Sequence, residues 1–194
     1  MLFSQSYACP EHGVSVEELT PRMFSFNNPF GACPHCTGLG VFQEIDPKLV
    51  VPNRDLSIRQ GAIKAVGWNS LDDNSIAMMY YQAISEKYGI SLDVPVKELS
   101  KEQLNLFLYG TKEDPLFLHR TTAGGRTEGF RAPFEGVIPN LKRRFADGGE
   151  WAKEEISSVM SDVACPVCHG KRLKPEVLAV TVGDKNIIDL TELS

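Results

Sequence analysis

Three short cysteine pairs constrain this chain more than anything else in it: Cys9-Pro-Glu-His12, Cys33-Pro-His-Cys36 and Cys165-Pro-Val-Cys168. All five cysteines lie in them. Thiolates separated by two intervening residues can occupy two adjacent corners of a tetrahedron, so two such pairs close a structural zinc site. The flanking residues strengthen that reading. Cys33-Pro-His-Cys36-Thr-Gly-Leu-Gly40 fits C-x-x-C-x-G-x-G, and Cys165-Pro-Val-Cys168-His-Gly-Lys-Arg172 repeats its first six positions. A glycine two residues past the second cysteine permits the tight turn with positive φ that follows a zinc knuckle.

Two pairings are open on spacing alone. Cys9 and His12 with Cys33 and Cys36 give CxxH-x20-CxxC, an ordinary finger spacing. Cys33 and Cys36 with Cys165 and Cys168 instead clip a 128-residue excursion at its base. That excursion would then be an inserted domain on a zinc stalk. A redox CxxC is the rival chemistry, but such sites open a helix in a βαβ context, and Gly-containing turns follow both full pairs here. His35 and His169 adjoin the cysteines and cannot easily share the same metal, so they are expected to face solvent or an anion. His119 stands alone in a predicted strand.

Length and composition fit one domain or two small ones with a packed core: 194 residues, 42% hydrophobic. The net charge of −5 argues against a uniformly basic nucleic-acid binder. The charge is uneven, however. Between Leu116 and Phe145 lie Arg120, Arg126, Arg131, Lys142, Arg143 and Arg144 against Glu128 and Glu135, a local +4 that leaves −9 elsewhere. Such asymmetry points to an anionic partner, although a solvated basic face gives the same composition and the two glutamates can each hold an arginine. The N-terminus has no signal-peptide pattern, no apolar stretch approaches membrane-spanning length, and a cytoplasmic protein with no membrane association is expected.

The coarse organisation is α+β. Residues 14–19 read as a short helical turn, 24–26 as a short strand, and the Val50-Val51-Pro52 region as a linker or loop. Helical spacing of Ile76, Met79, Tyr80, Ala83, Ile84 and Tyr88 predicts a helix over 72–88, ended by Gly89. Ser100-Lys-Glu-Gln103 is a capping box for a second helix ending near Gly110. Residues 116–119 and 129–134 read as strands flanking a polar hairpin tip. A third helix is predicted over 151–163, and a β-hairpin over 177–190. Carboxylate pairs such as Glu17-Glu18, Asp72-Asp73 and Glu154-Glu155 sit at helix starts or exposed turns. There is no G-x-x-x-x-G-K-[ST], no G-x-S-x-G and no H-E-x-x-H. The residues describe a zinc-stabilised binding module rather than an enzyme.

Longer motifs carry a family resemblance. Ala8-Cys-Pro-Glu-His-Gly13 and Glu18-Leu-Thr-Pro-Arg-Met-Phe-Ser-Phe-Asn-Asn-Pro-Phe-Gly-Ala-Cys-Pro-His-Cys-Thr-Gly-Leu-Gly40 come first. Phe134-Glu-Gly-Val-Ile-Pro139, Cys165-Pro-Val-Cys-His-Gly-Lys-Arg-Leu173 and Val177-Leu-Ala-Val180 with Asn186-Ile187 follow in order. Together they resemble the first half of the UvrA family, the damage-sensing ABC-type ATPase subunit of the bacterial UvrABC excinuclease. The resemblance covers only an internal segment. The family's nucleotide-binding motifs and UvrB-binding domain are not in it, so Met1 and Ser194 are expected to be the ends of an excerpt.

The resemblance implies a zinc-binding part of the first signature domain (1–42 and 153–194) interrupted by an insertion domain (43–152). By analogy with the family's related second half, Cys33, Cys36, Cys165 and Cys168 share one zinc. Cys9 and His12 would be half of another site; the family usually has cysteine where this chain has His12. The implied partners are damaged double-stranded DNA, reached through Arg120, Arg126, Arg131, Lys142, Arg143 and Arg144, and, for the full-length protein, UvrB and a second UvrA. The resemblance implies DNA repair without ATPase activity in this segment. A chaperone zinc module of the Hsp40 kind is the alternative, but it uses four closely spaced C-x-x-C-x-G-x-G copies, where this chain has one full and one partial copy.

Overall fold

A computed structural model describes the backbone at residues 8–9, 14–15, 19–121 and 127–192, and the side chains at 19–119 and 129–192. Along the chain, β1 (Ala8–Cys9) pairs antiparallel with β2 (Val14–Ser15). A 3₁₀ turn covers Pro21–Phe24, and β3 (Val41–Ile45) and α1 (Pro47–Val50) follow. Then come α2 (Ile76–Tyr88), α3 (Lys101–Tyr109), the hairpin of β4 (Pro115–Thr121) and β5 (Thr127–Pro133), α4 (Val137–Asp147) and α5 (Glu150–Ser157). β6 (Met160–Ala164) pairs with β3, and α6 (Pro175–Leu178) and α7 (Ile187–Thr191) end the chain. The fold is α+β and divides into two compact units. Unit 1 is Met1–Gln43 with Asp162–Ser194, and unit 2 is Glu44–Ser161. Residues 153–161, expected on the zinc-binding side, group with unit 2.

Unit 2 has the larger core. Ser75 caps α2 by accepting the Met78 N–H, and Gly89 closes it in the left-handed region (φ 65°). The buried face is Ala77, Met78, Tyr81, Ala83 and Ile84, whereas Ile76, expected inside, is 68% exposed. The start of α2 is apolar all round, so periodicity could not choose its inner face; packing against β4 and α3 does. The capping box of α3 forms as expected, with Ser100 and Gln103 exchanging bonds of 2.9 and 3.1 Å. At its end Gly110 takes φ 83°, and a Cβ there would meet the Phe134 carbonyl oxygen at 2.1 Å.

That close approach lets one buried threonine tie α3 to the end of the hairpin. Thr111 N–H donates to the Phe134 carbonyl (2.8 Å), and its hydroxyl accepts the Phe134 N–H (3.1 Å) while donating to the Asp114 carbonyl (2.7 Å). Phe134 then stacks on Tyr80 (4.9 Å between centroids) and meets Trp68 edge-on (5.3 Å). Tyr81 donates to the Trp68 carbonyl at 2.9 Å, and the Trp68 indole N–H donates to Asn140 at 3.0 Å. In the hairpin Phe117 faces Arg131 and His119 faces Gly129 across the ladder, while Leu116 and Leu118 point into the core.

Several local expectations are overturned. The predicted helix over 151–163 ends at Ser157; Met160–Ala164 leaves as β6, because β3 offers it a ladder partner and Val163 is β-branched. The predicted 177–190 hairpin is two short helices. Pro175 starts α6, and Asn186 with Asp189 forms a capping box on α7. The turn between them survives as a single Val182–Lys185 bridge. Phe24 lies in the 3₁₀ turn rather than a strand, and Val14–Ser15 is a strand rather than a helical turn. Val50 and Val51 are core residues, not linker. Helix α4 was not anticipated: Gly136 and Pro139 look like breakers, but Pro139 sits in the first turn, where its missing N–H costs nothing.

Phe134→Ala is expected to destabilise the chain by about 3–5 kcal/mol through cavity formation, and Ile76→Ala by roughly 0.5 kcal/mol or less. Urea unfolding followed by tryptophan fluorescence measures both.

Candidate metal centre and nucleic-acid interface

The two full cysteine pairs meet in unit 1. The Sγ atoms of Cys33, Cys36, Cys165 and Cys168 all lie within 4.8 Å of one another, none is in a disulfide, and all four residues are buried. Cys36 and Cys168 Sγ are 3.7 Å apart. A ZnS₄ tetrahedron with Zn–S near 2.3 Å has edges of about 3.8 Å, so four buried thiols this close are a donor set of the kind and spacing a structural zinc takes.

The backbone shows why. The chain repeats itself at an offset of 132 residues, knuckle for knuckle. Thr37 and His169 both have positive φ (51° and 50°), as do Gly38 and Gly170 (83° and 85°) and Gly40 and Arg172 (81° and 66°). The two knuckles are locked reciprocally. Cys33 N–H donates to the Arg172 carbonyl and Cys165 N–H to the Gly40 carbonyl, both at 2.8 Å. A lock of this kind places four sulfurs at one point while satisfying two buried amides. The glycines are needed sterically too: a Cβ on Gly38 would meet the Phe26 carbonyl oxygen at 2.0 Å, and one on Gly40 the Gly170 oxygen at 2.9 Å.

Four sulfurs this close cannot all ionise without a cation between them. Burial pushes the Cys36 thiol up, but the Gly40 N–H (3.2 Å), the neighbouring thiols and the Gly38 N–H outweigh it and bring it down to about 7. Burial pushes Cys168 up to about 11. One thiolate is thus favoured beside a neighbour held protonated, and a cation bound among the sulfurs would favour release of the protons. Neither pair opens a helix, so the redox alternative lacks its setting. His35 and His169 are exposed, and the His35 ring meets the half-buried Phe42 edge-on at 5.1 Å. The side chain of Cys9, and His12 altogether, lie outside the described residues.

Four side chains of the expected cationic set, Arg131, Lys142, Arg143 and Arg144, lie among the described residues. Arg126 and the Arg120 side chain lie outside the described residues. Arg131 is exposed on the outer face of the hairpin beside Phe117, which is 48% exposed and meets His119 edge-on at 4.7 Å. Lys142 is exposed on α4, and neither it nor Arg131 has an ion-pair partner among the described residues. Arg143 is held by Glu135 at 2.8 Å, and Arg144 donates to the Val66 carbonyl at 2.9 Å. These last two are tied to the protein's own acceptors. Position in sequence showed six charges but not which acceptors folding would bring to them.

Residues 46–158 match the family model of the UvrA DNA-binding domain, which falls within unit 2. The chain belongs to this family. It is 46% identical over its whole length to UvrABC system protein A of Clostridium perfringens and 42% identical to that of Bacillus subtilis, spanning 20% of each relative. The crystal structure of UvrA2 from Deinococcus radiodurans matches 95% of the chain and 23% of its own, at TM-score 0.62 and 27% identity. The UvrA resemblance of the sequence is thus shown, and the Hsp40 and redox alternatives gain no support.

If the reciprocal lock holds the UvrA-type knuckles, the Cys33 and Cys165 amides should exchange with solvent at similar, slow rates. Gly40→Ala is expected to accelerate both by roughly tenfold or more, given a strained-backbone cost of about 1–3 kcal/mol. Amide hydrogen exchange read by NMR checks this; acceleration of only one amide contradicts the lock.

Proposed function

We propose that this chain is the zinc-clipped, DNA-contacting segment of a UvrA protein acting in nucleotide excision repair. Unit 1 is read as part of the first signature domain and unit 2 as the insertion domain. What carries the reading is the match of residues 46–158 to the UvrA DNA-binding domain on the unit that bears Arg131 and Lys142.

In this reading Cys33, Cys36, Cys165 and Cys168 hold one zinc. The metal neutralises the thiolates and fixes the two knuckles, which are far apart in the chain; structural zinc supplies roughly 10–16 kcal/mol to folding. Cys9 and His12 are read as half of a second site. DNA is held through phosphates by Arg120, Arg126, Arg131 and Lys142, with Arg143 and Arg144 contributing less because they are already engaged. Damage is sensed through the ease of deforming the duplex rather than through base edges. ATP hydrolysis, UvrB and the second UvrA belong to the longer protein, acting in the cytoplasm; this sequence holds no phosphate-cradling P-loop.

Metal analysis should find about one zinc per chain. Cys165→Ser should release it and unfold unit 1, seen by far-UV circular dichroism. A chain that keeps its zinc after this substitution would sink the ligand assignment.

Fluorescence anisotropy with a lesion-bearing duplex should give weak, salt-sensitive binding. With three or four phosphates neutralised, log K falls against log[salt] with a slope of roughly −3 to −4. Charge reversal at Arg126 and Arg131 should flatten the slope by about two, and reversal at Arg143 by less than one. A slope indifferent to Arg126 and Arg131 defeats the DNA assignment.

A further inference from the structure

Unit 2 contains a groove of about 740 Å³ lined by none of the cysteines or cations assigned above. One wall is a face of α3: Lys101, Leu104, Asn105 and Leu108 recur at helical spacing, with Tyr109 at the end. The facing wall is α1 and the turn after it, contributing Lys48, Val51 and Arg54 among others. The floor is apolar, because Val51 and Leu108 are core residues and Leu104 is half-buried. The rim is cationic and contains no acid.

The cations here are free in a way that Arg143 and Arg144 of α4 are not. Lys48 and Arg54 are exposed and have no ion-pair partner among the described residues. The nearby carboxylates are engaged elsewhere. Asp46 caps α1 by accepting the Lys48 backbone N–H at 2.8 Å, and Asp55 holds Lys97 at 2.8 Å. Glu102, beside Lys101, bonds its own backbone N–H and Ser100 and is also attracted by the Lys101 ammonium, so Lys101 is shared where Lys48 and Arg54 are not. The Asn105 amide and the Tyr109 hydroxyl have no hydrogen-bond partner among the described residues.

We propose that this groove binds a short acidic, amphipathic peptide of a protein partner, with apolar side chains on Val51, Leu104 and Leu108 and carboxylates at Lys48, Arg54 and Lys101. The distance from Lys101 to Leu108 along α3 is about 10 Å, which suits two helical turns or three to four extended residues. Asn105, between two leucines on this wall, offers a donor and an acceptor to a peptide bond, the usual mixture of anchors and orienting polar groups in a groove. The apolar floor favours a peptide over nucleic acid, which would lay a charged sugar-phosphate chain across leucines. This assignment is independent of the DNA reading, which rests on different residues.

The test is a phage-displayed library of 12-residue peptides built from Leu, Ile, Phe, Asp, Glu, Ser and Gly. It is panned on the zinc-loaded chain and in parallel on an Arg54→Glu/Lys101→Glu variant; both positions are exposed, and the variant is first matched to the native chain in circular dichroism and zinc content. The native chain should enrich peptides with an apolar anchor flanked by carboxylates. A synthetic copy should shift the amide resonances of Arg54, Asn105 and Tyr109, and bind the variant roughly tenfold more weakly. Asn105→Ala, which leaves the charge unchanged, should also weaken it. No enrichment, or equal enrichment on the variant, overturns the proposal. So does a duplex DNA that shifts these same resonances where no peptide does. The Arg126/Arg131 salt series reads the DNA surface separately, so either assignment can fail alone.

Discussion

Two backbone hydrogen bonds, Cys33 N–H to the Arg172 carbonyl and Cys165 N–H to the Gly40 carbonyl, hold together chain segments 132 residues apart. Each knuckle supplies its own first amide and its own last carbonyl to the other, so neither is complete alone. The positive-φ residues after Cys36 and Cys168 aim those carbonyls. Where the first knuckle uses Gly40 for this conformation, the second uses Arg172, whose guanidinium lies 5.1 Å from the Phe26 ring centre. The stack and the reciprocal bond offset the strain of a non-glycine residue there. The cysteine cluster fits this geometry, since the reciprocal bonds set the two cysteine pairs side by side.

Unit 2 depends on a different device, the close approach of α3 to the end of the hairpin. Gly110 and Gly136 are both at positive φ, and a Cβ at either would collide with backbone within 2.5 Å. Their lack of a side chain lets Thr111 bond Phe134 in both directions, and Phe134 then carries the Trp68, Tyr80 and Tyr81 group. With those aromatics placed, Asn140 accepts from Trp68 and Glu135 accepts from Arg143. The aromatic core therefore decides which cations near the hairpin remain available. Arg131 and Lys142 stay exposed with no ion-pair partner among the described residues, while α1 and α3 line a cationic groove made of other residues.

The chemistry of the cysteines was legible in the sequence because ligand spacing and flanking glycines are local. So was the capping box of α3, which involves four consecutive residues, and so were the two strands of the hairpin, whose alternation is a property of one short segment. The family was legible from motifs spread along the chain. Packing decided the rest. The inner face of α2 was ambiguous because its first turns are apolar on every side. Residues 160–164 became a strand because β3 lies beside them, a partner more than a hundred residues away. Residues 175–191 became two short helices because Pro175 and Asn186 start turns that a strand pattern conceals. Above all, sequence gave six clustered charges, whereas side-chain hydrogen bonding engaged two of them and tertiary structure gathered Lys48, Arg54 and Lys101 from distant segments. A charge is written in the sequence; its freedom to meet a partner depends on which acceptors folding brings within about 3 Å, and that is a property of the folded chain.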